Sequence, residues 1–348
     1  MGKGVQTLTL AAVQMDANPA PTQERLARAE TLVAEAAAAG ATLVVLPEIF
    51  NIGYGYTPDN FRRAEPLNGP TVTWMRATAH RLNIHLAGSL LLRDQGEIYN
   101  SLLLFAPRGQ MWRYDKLYPW SWERGYFRPG KTITVAQTDL GAIGMMVCWD
   151  VAHPTLWRRY AGQVDLMIIS SCPPDGSNPT YIFPNGQQVT VEQLGPVMKA
   201  LKGTARRVFG ETVNQQTAWL GVPSVQTVCS GHIKTEIPNG VASVCTLLPV
   251  APWAIRYLPH ASKLQMSCEM VEGCKIVAAT GHVLTELTGA QGKAFALSEV
   301  TLPDKTPAPR GPQPVPPISK LTYLFSDMLI PALTIPTYKK GLRQQHDK

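Results

Sequence analysis

Two short runs, Thr42–Leu46 and Ala142–Val147, are almost wholly apolar, and each ends on a reactive group: Pro47-Glu48 after the first, Cys148 after the second. Runs of this length without polar alternation suit strands buried on both faces, the situation of parallel sheets covered by helices. The flanking pattern agrees. Leu8–Met15 reads as a buried strand, and Thr22–Ala39 follows as an Ala-rich helix closed by Gly40, which suits a left-handed cap. Gly69–Asn83 reads as a helix. Ile84–Leu92 and Ser101–Ala106 read as strands, the second running to a turn at Pro107-Arg108-Gly109. A helix over Pro154–Ala161 leads into a strand at Leu166–Ser170. Thr217–Val222 and Lys275–Ala279 read as further strands, the latter ending in a turn at Thr280-Gly281-His282. Such alternation predicts an α/β fold.

Three polar residues stand where a soluble core would not ordinarily put them. Glu48 and Cys148 end apolar strands, and Lys116 lies among aromatics in Tyr-Asp-Lys-Leu-Tyr-Pro-Trp. Ligand sites in open α/β sheets form beyond the carboxyl ends of strands. A carboxylate, an ammonium and a thiol meeting there make a consistent set. The ammonium favours the thiolate and steadies an oxyanion, and the carboxylate carries the proton. Each residue taken alone also has an ordinary role: a core thiol, a solvated turn, a snorkelling lysine.

The segments Val-Leu-Pro-Glu-Ile-Phe (45–50), Tyr-Asp-Lys-Leu-Tyr-Pro (114–119) and Val-Cys-Trp-Asp-Val-Ala-His-Pro (147–154) resemble, in order and separation, the three signature blocks of the nitrilase superfamily of carbon–nitrogen hydrolases. Leu-Ala-Ala-Val-Gln-Met (10–15) and Val-Ala-Ala-Thr-Gly-His-Val-Leu (277–284) resemble its first strand and a late hairpin, so the likeness spans about residues 8–302. The resemblance implies a four-layer αββα sandwich that dimerises through helices. It implies Glu48 as general base, Lys116 as stabiliser of the tetrahedral intermediate and Cys148 as thioester-forming nucleophile. The Trp149 N–H would complete the oxyanion hole. Glu123 matches the family's second glutamate, which positions substrate and tunes Lys116. Tyr54 and Ser171 are the further substrate-contact candidates. Asp150 stands where true nitrilases usually carry glutamate, which favours an amide substrate over a nitrile. Acyl transfer through the same residues and a non-catalytic membrane-surface protein are the competing readings. The chain between Val222 and Cys274 is longer than the family norm. It holds an uncharged stretch, Val241–Ile255, expected at an oligomer contact or else on a pocket or membrane face.

Charge and cysteine usage narrow the partners. A net charge of +7 without a dense Lys/Arg block argues against nucleic acid. The six cysteines show no CxxC pair and no Cys/His metal spacing, so neither metal nor cofactor is expected. Met-Gly-Lys-Gly-Val-Gln-Thr has no apolar run of signal-peptide type, and a cytoplasmic protein with reduced thiols is the expectation.

Seven prolines between Leu302 and Pro317 predict an extended linker, dividing a hydrolase body (1–302) from a tail (318–348). Leu321, Leu324, Phe325, Met328 and Leu329 make one apolar face of a helix over Ser319–Ile330, which Pro331 should end; Lys339, Lys340 and Arg343 follow. Such a tail is expected to dock on the chain's own body or a neighbouring subunit of a homo-oligomer, or to lie peripherally on the inner face of a membrane. The separation also predicts that it takes no part in the chemistry.

Overall fold

The computed structural model describes residues 6–249 and 251–346. The long first strand, Gln6–Asp16, pairs parallel with Leu43–Val45 and antiparallel with Ala294–Leu302. Leu43–Val45 pairs parallel with His85–Asp94, and Glu97–Phe105 and Met111–Asp115 extend the same sheet. In the second sheet, Gly141–Val147 pairs parallel with Leu166–Ser170, which pairs parallel with Ser224–Thr227. Among the described residues the two sheets hold seven and six strands.

The layers follow from which faces are apolar. On helix Thr22–Ala38, Ala29, Leu32, Val33 and Ala36 recur at helical spacing and are buried with Val72, Met75 and Ala79 of helix Pro70–Leu82 against one face of the first sheet. The other face, with Leu10, Val45 and Leu104, meets Ile143, Met145 and Val225 of the second sheet. Helices Pro154–Tyr160 and Val213–Leu220 add Trp157, Tyr160 and Trp219 to that central core. The result is the expected αββα sandwich. Each fully buried aliphatic side chain contributes about 1.5–3 kcal/mol to holding it.

Two sequence expectations need correction. Thr217–Leu220 closes a helix capped by left-handed Gly221 (φ 72°), and the strand begins only at Ser224, after Pro223. A short apolar run fits a helix end as well as a strand. In the tail, Pro331 does not end the helix. Lys320–Tyr323 widens into a π-helical stretch at Leu324–Leu329, and Ile330–His346 then continues as α-helix. The wide turn makes Pro331 a first-turn residue of the new segment, where a missing N–H costs little.

The tail is seated on the chain's own body, one of the places expected for it. The proline-rich arm is pinned by Arg310 N to Trp219 O (2.8 Å) and Thr306 Oγ1 to Asp165 Oδ1 (2.7 Å). Ser319 caps the following helix by accepting from Thr322 N at 3.1 Å. Tyr338 is buried, its hydroxyl donating to Glu97 (2.5 Å) and accepting from Ile98 N (2.9 Å). Gly341 lets the final helix pass over Phe61, since a Cβ there would lie 2.2 Å from the ring.

Candidate active site

Three site residues sit at turns that leave strands or open a helix, and each turn holds a left-handed, non-glycine residue. Ile49 (φ 50°) follows Glu48, Ser121 (φ 48°) precedes Glu123 by two positions, and Cys148 is itself at φ 50°. A β-branched or bulky residue in that region is strained, and such strain concentrates where a side chain must be aimed. Asp150 fixes the Cys148 turn: it accepts from Val147 N (3.0 Å), Tyr114 OH (2.7 Å) and Tyr118 N (2.8 Å). It thereby ties the cysteine segment to the lysine segment, a role its sequence position did not disclose.

The structure brings Glu48, Lys116, Glu123 and Cys148 together, all buried. Lys116 Nζ donates to Glu48 Oε1 at 2.8 Å and to Glu123 Oε2 at 2.7 Å. Glu48 is held by two further donors, Asn100 Nδ2 (2.7 Å) on Oε1 and Cys172 N (2.9 Å) on Oε2. Asn100 is oriented in turn by Ser89 Oγ at 2.8 Å. Glu123 also accepts from Tyr54 OH (2.6 Å) and Trp120 N (2.6 Å).

The electrostatics follow from burial and crowding. Burial pushes the Cys148 thiol well above its usual value, and Glu48 adds to this, while Lys116 pulls the other way. At rest Cys148 is therefore a thiol rather than a thiolate. Burial alone would lower the Lys116 pKa, but Cys148, Glu123 and Glu48 outweigh it and raise it well above an ordinary lysine. Glu123 is driven by burial to about 7, against the pull of Lys116. Burial likewise raises Tyr54, which stays a donor.

Tyr54 and Trp149 border the cavity at Cys148. Ser171 does not. It is fully buried behind Glu48, accepting Glu48 N on its carbonyl at 3.3 Å, and is not among the residues lining the cavity. Its hydroxyl is buried with no hydrogen-bond partner among the described residues. Val241–Ile255 has its pocket reading supported: Val244, Leu247 and Ala254 line the cavity.

The tail reaches the same place. Asp327 accepts from Trp149 Nε1 (2.9 Å) and bonds His153 Nε2 (3.0 Å), and His153 Nδ1 lies 3.1 Å from Trp149 O. Tyr323 OH donates to Ala152 O at 2.5 Å. Thr334 and Thr337 lie against Gly125, two residues past Glu123. The expectation of a tail apart from the site is thus overturned by its contacts. Among the described residues no group of three or more His, Cys, Asp or Glu could hold a metal ion.

The carbon–nitrogen hydrolase family pattern matches residues 9–207, more than half of the chain, and the chain belongs to that family. It is 31% identical over 157 residues to a nitrilase of Pyrococcus abyssi, covering 44% of this chain and 60% of that one. To an omega-amidase of Danio rerio it is 33% identical over 149 residues, covering 40% and 53%. The matches thus span roughly half to three-fifths of these relatives' own lengths. Among solved structures it is similar to an amidase from Nesterenkonia sp. (TM-score 0.59, 19% identity, covering 86% of this chain and 91% of that one). A CN-hydrolase superfamily protein from Xanthomonas campestris gives a TM-score of 0.59 at 18% identity, with 86% and 91% covered. These two share the fold.

Proposed function

We infer that this chain hydrolyses a non-peptide amide through a thioester on Cys148, with Glu48 as general base. The observation that carries the reading is the buried carboxylate–ammonium–carboxylate array, Glu48–Lys116–Glu123, closed around a protonated thiol. Glu48 takes the thiol proton as sulfur attacks the carbonyl carbon. Two N–H bonds of Lys116 go to the carboxylates, which leaves the third for the developing oxyanion. Trp149, in the first turn of a short helix, offers its backbone N–H beside it. Glu48 then returns the proton to the leaving nitrogen, and ammonia or an amine departs. Water, deprotonated by Glu48, attacks the thioester; the acid leaves and the thiol is restored. Glu123 holds the ammonium and, with Tyr54, shapes the acyl side of the site.

The likeness to a nitrilase supports a second reading, in which the same thiol adds to a nitrile carbon. An ammonia-release screen over amides and nitriles separates them. Turnover confined to nitriles overturns the amide reading, and ammonia from neither class overturns both.

No helix among the described residues is long and apolar enough to cross a membrane. Leu324, Met328 and Leu329 of the tail are nevertheless exposed, as is Val241. We take this face as the contact for a second copy of the chain or a lipid surface.

A further inference from the structure

The cavity that opens at Cys148 encloses about 160 Å³ and runs away from the catalytic groups into apolar walls. Phe183, Leu194, Val244 and Leu247 line it together with Phe325 and Ile330 of the tail. Among the described lining residues Glu123 carries the one charged side chain, and both its oxygens are engaged by Tyr54, Lys116 and Trp120. Four of the lining hydroxyl residues are turned to protein partners, and the lining is otherwise mostly apolar. Ser177 bonds Asp175 (2.6 Å), Ser243 accepts from Trp122 (3.0 Å), Thr246 bonds Ser243 O (2.7 Å) and Thr322 bonds Ser319 (2.9 Å).

We propose that the site, on the hydrolase reading above, takes an amide whose acyl group is neutral and apolar and about as large as a six-carbon chain or a benzene ring, with the C-terminal helix as one wall of the acyl pocket. Size and chemistry both lead there. An apolar cavity of about 150 Å³ is large enough to hold a benzene ring. A substrate carboxylate at the far end would find no cation on the wall and would be buried unpaired. The tail and the long segment between Val222 and Cys274 both contribute walls, so the two parts of the chain that depart from the family pattern meet around one acyl group.

The test compares kcat/KM for acetamide, butyramide, hexanamide and adipamate, the last matching hexanamide in length but ending in a carboxylate. Each added methylene is expected to raise kcat/KM about fourfold up to six carbons, with adipamate about a hundredfold below hexanamide. Phe325→Ala should lower the hexanamide-to-acetamide ratio. Protection of Cys148 from iodoacetamide by the same amides reads the pocket without turnover. Protection graded by chain length, with no ammonia from any amide, supports the apolar pocket and overturns the hydrolase reading. Ammonia release that favours acetamide or adipamate overturns the pocket proposal and leaves the hydrolase standing. Equal turnover across the series overturns it as well.

Discussion

Asp327 accepts the indole N–H of Trp149 at 2.9 Å, so a carboxylate of the C-terminal helix holds the residue that follows Cys148, 178 positions away in sequence. The same carboxylate bonds His153, which stacks on Tyr118 with ring centroids 3.5 Å apart. The segments carrying Cys148 and Lys116 are therefore clamped by one tail residue.

Asp327→Ala should leave the Trp149 N–H and the His153 ring unpaired in a half-buried place and cost about 1–3 kcal/mol of stability. It should also lower kcat more than it raises KM, because the oxyanion donor loses its support. Asp327→Asn, which keeps an acceptor, should recover much of kcat. Equal effects of both variants on Tm with kcat unchanged would make the contact purely structural.

Removal of residues 319–348 should lower activity at least tenfold, since Phe325, Ser326 and Ile330 then no longer close the cavity. If the exposed tail face meets a second copy, the size-exclusion mass falls as well. If it meets lipid, full-length protein sediments with anionic liposomes and salt reverses this. Unchanged turnover by the shortened chain would restore a tail independent of the chemistry.

Glu123 faces three donors, Tyr54, Lys116 and Trp120, an arrangement that suits an ionised carboxylate. Its pKa is raised to about 7, so its ionised fraction falls as pH drops through that value. The kcat/KM profile should therefore lose activity on the acid side with a limb near 7. Glu123→Gln should be about a hundredfold slower and should lack that limb. A limb unchanged in the variant would assign it to another group.

Glu48→Gln removes the base while keeping its shape, and Lys116→Met removes the charge while keeping much of the stem. Each should reduce ammonia release by about a thousandfold or more, with the fold retained by circular dichroism. Near-normal rates in the Lys116 variant would exclude an ammonium-assisted oxyanion.

Much of this was legible in the sequence where local chemistry decides the outcome. Leu166–Ser170 forms the expected strand with the expected bounds, and Glu48, Lys116 and Cys148 converge because apolar strands end at the first and last of them. What sequence could not show is long-range polar support. Asn100 reaches Glu48 across 52 positions, and nothing around it distinguishes it from a strand asparagine. The tail misled because its apolar helical face says that something must cover it, not what. Phe325 and Ile330 turn to the cavity while Met328 stays outside. Ser171 misled because a residue directly after a strand can be buried outside the cavity lining, as it is here.

The central claim is that Cys148 forms the bond to the acyl group. Ammonia release by Cys148→Ala, compared with the wild type at matched circular dichroism, tests it most directly. The account predicts a loss of at least about ten-thousandfold. Turnover within tenfold of wild type would place the nucleophile elsewhere and contradict it.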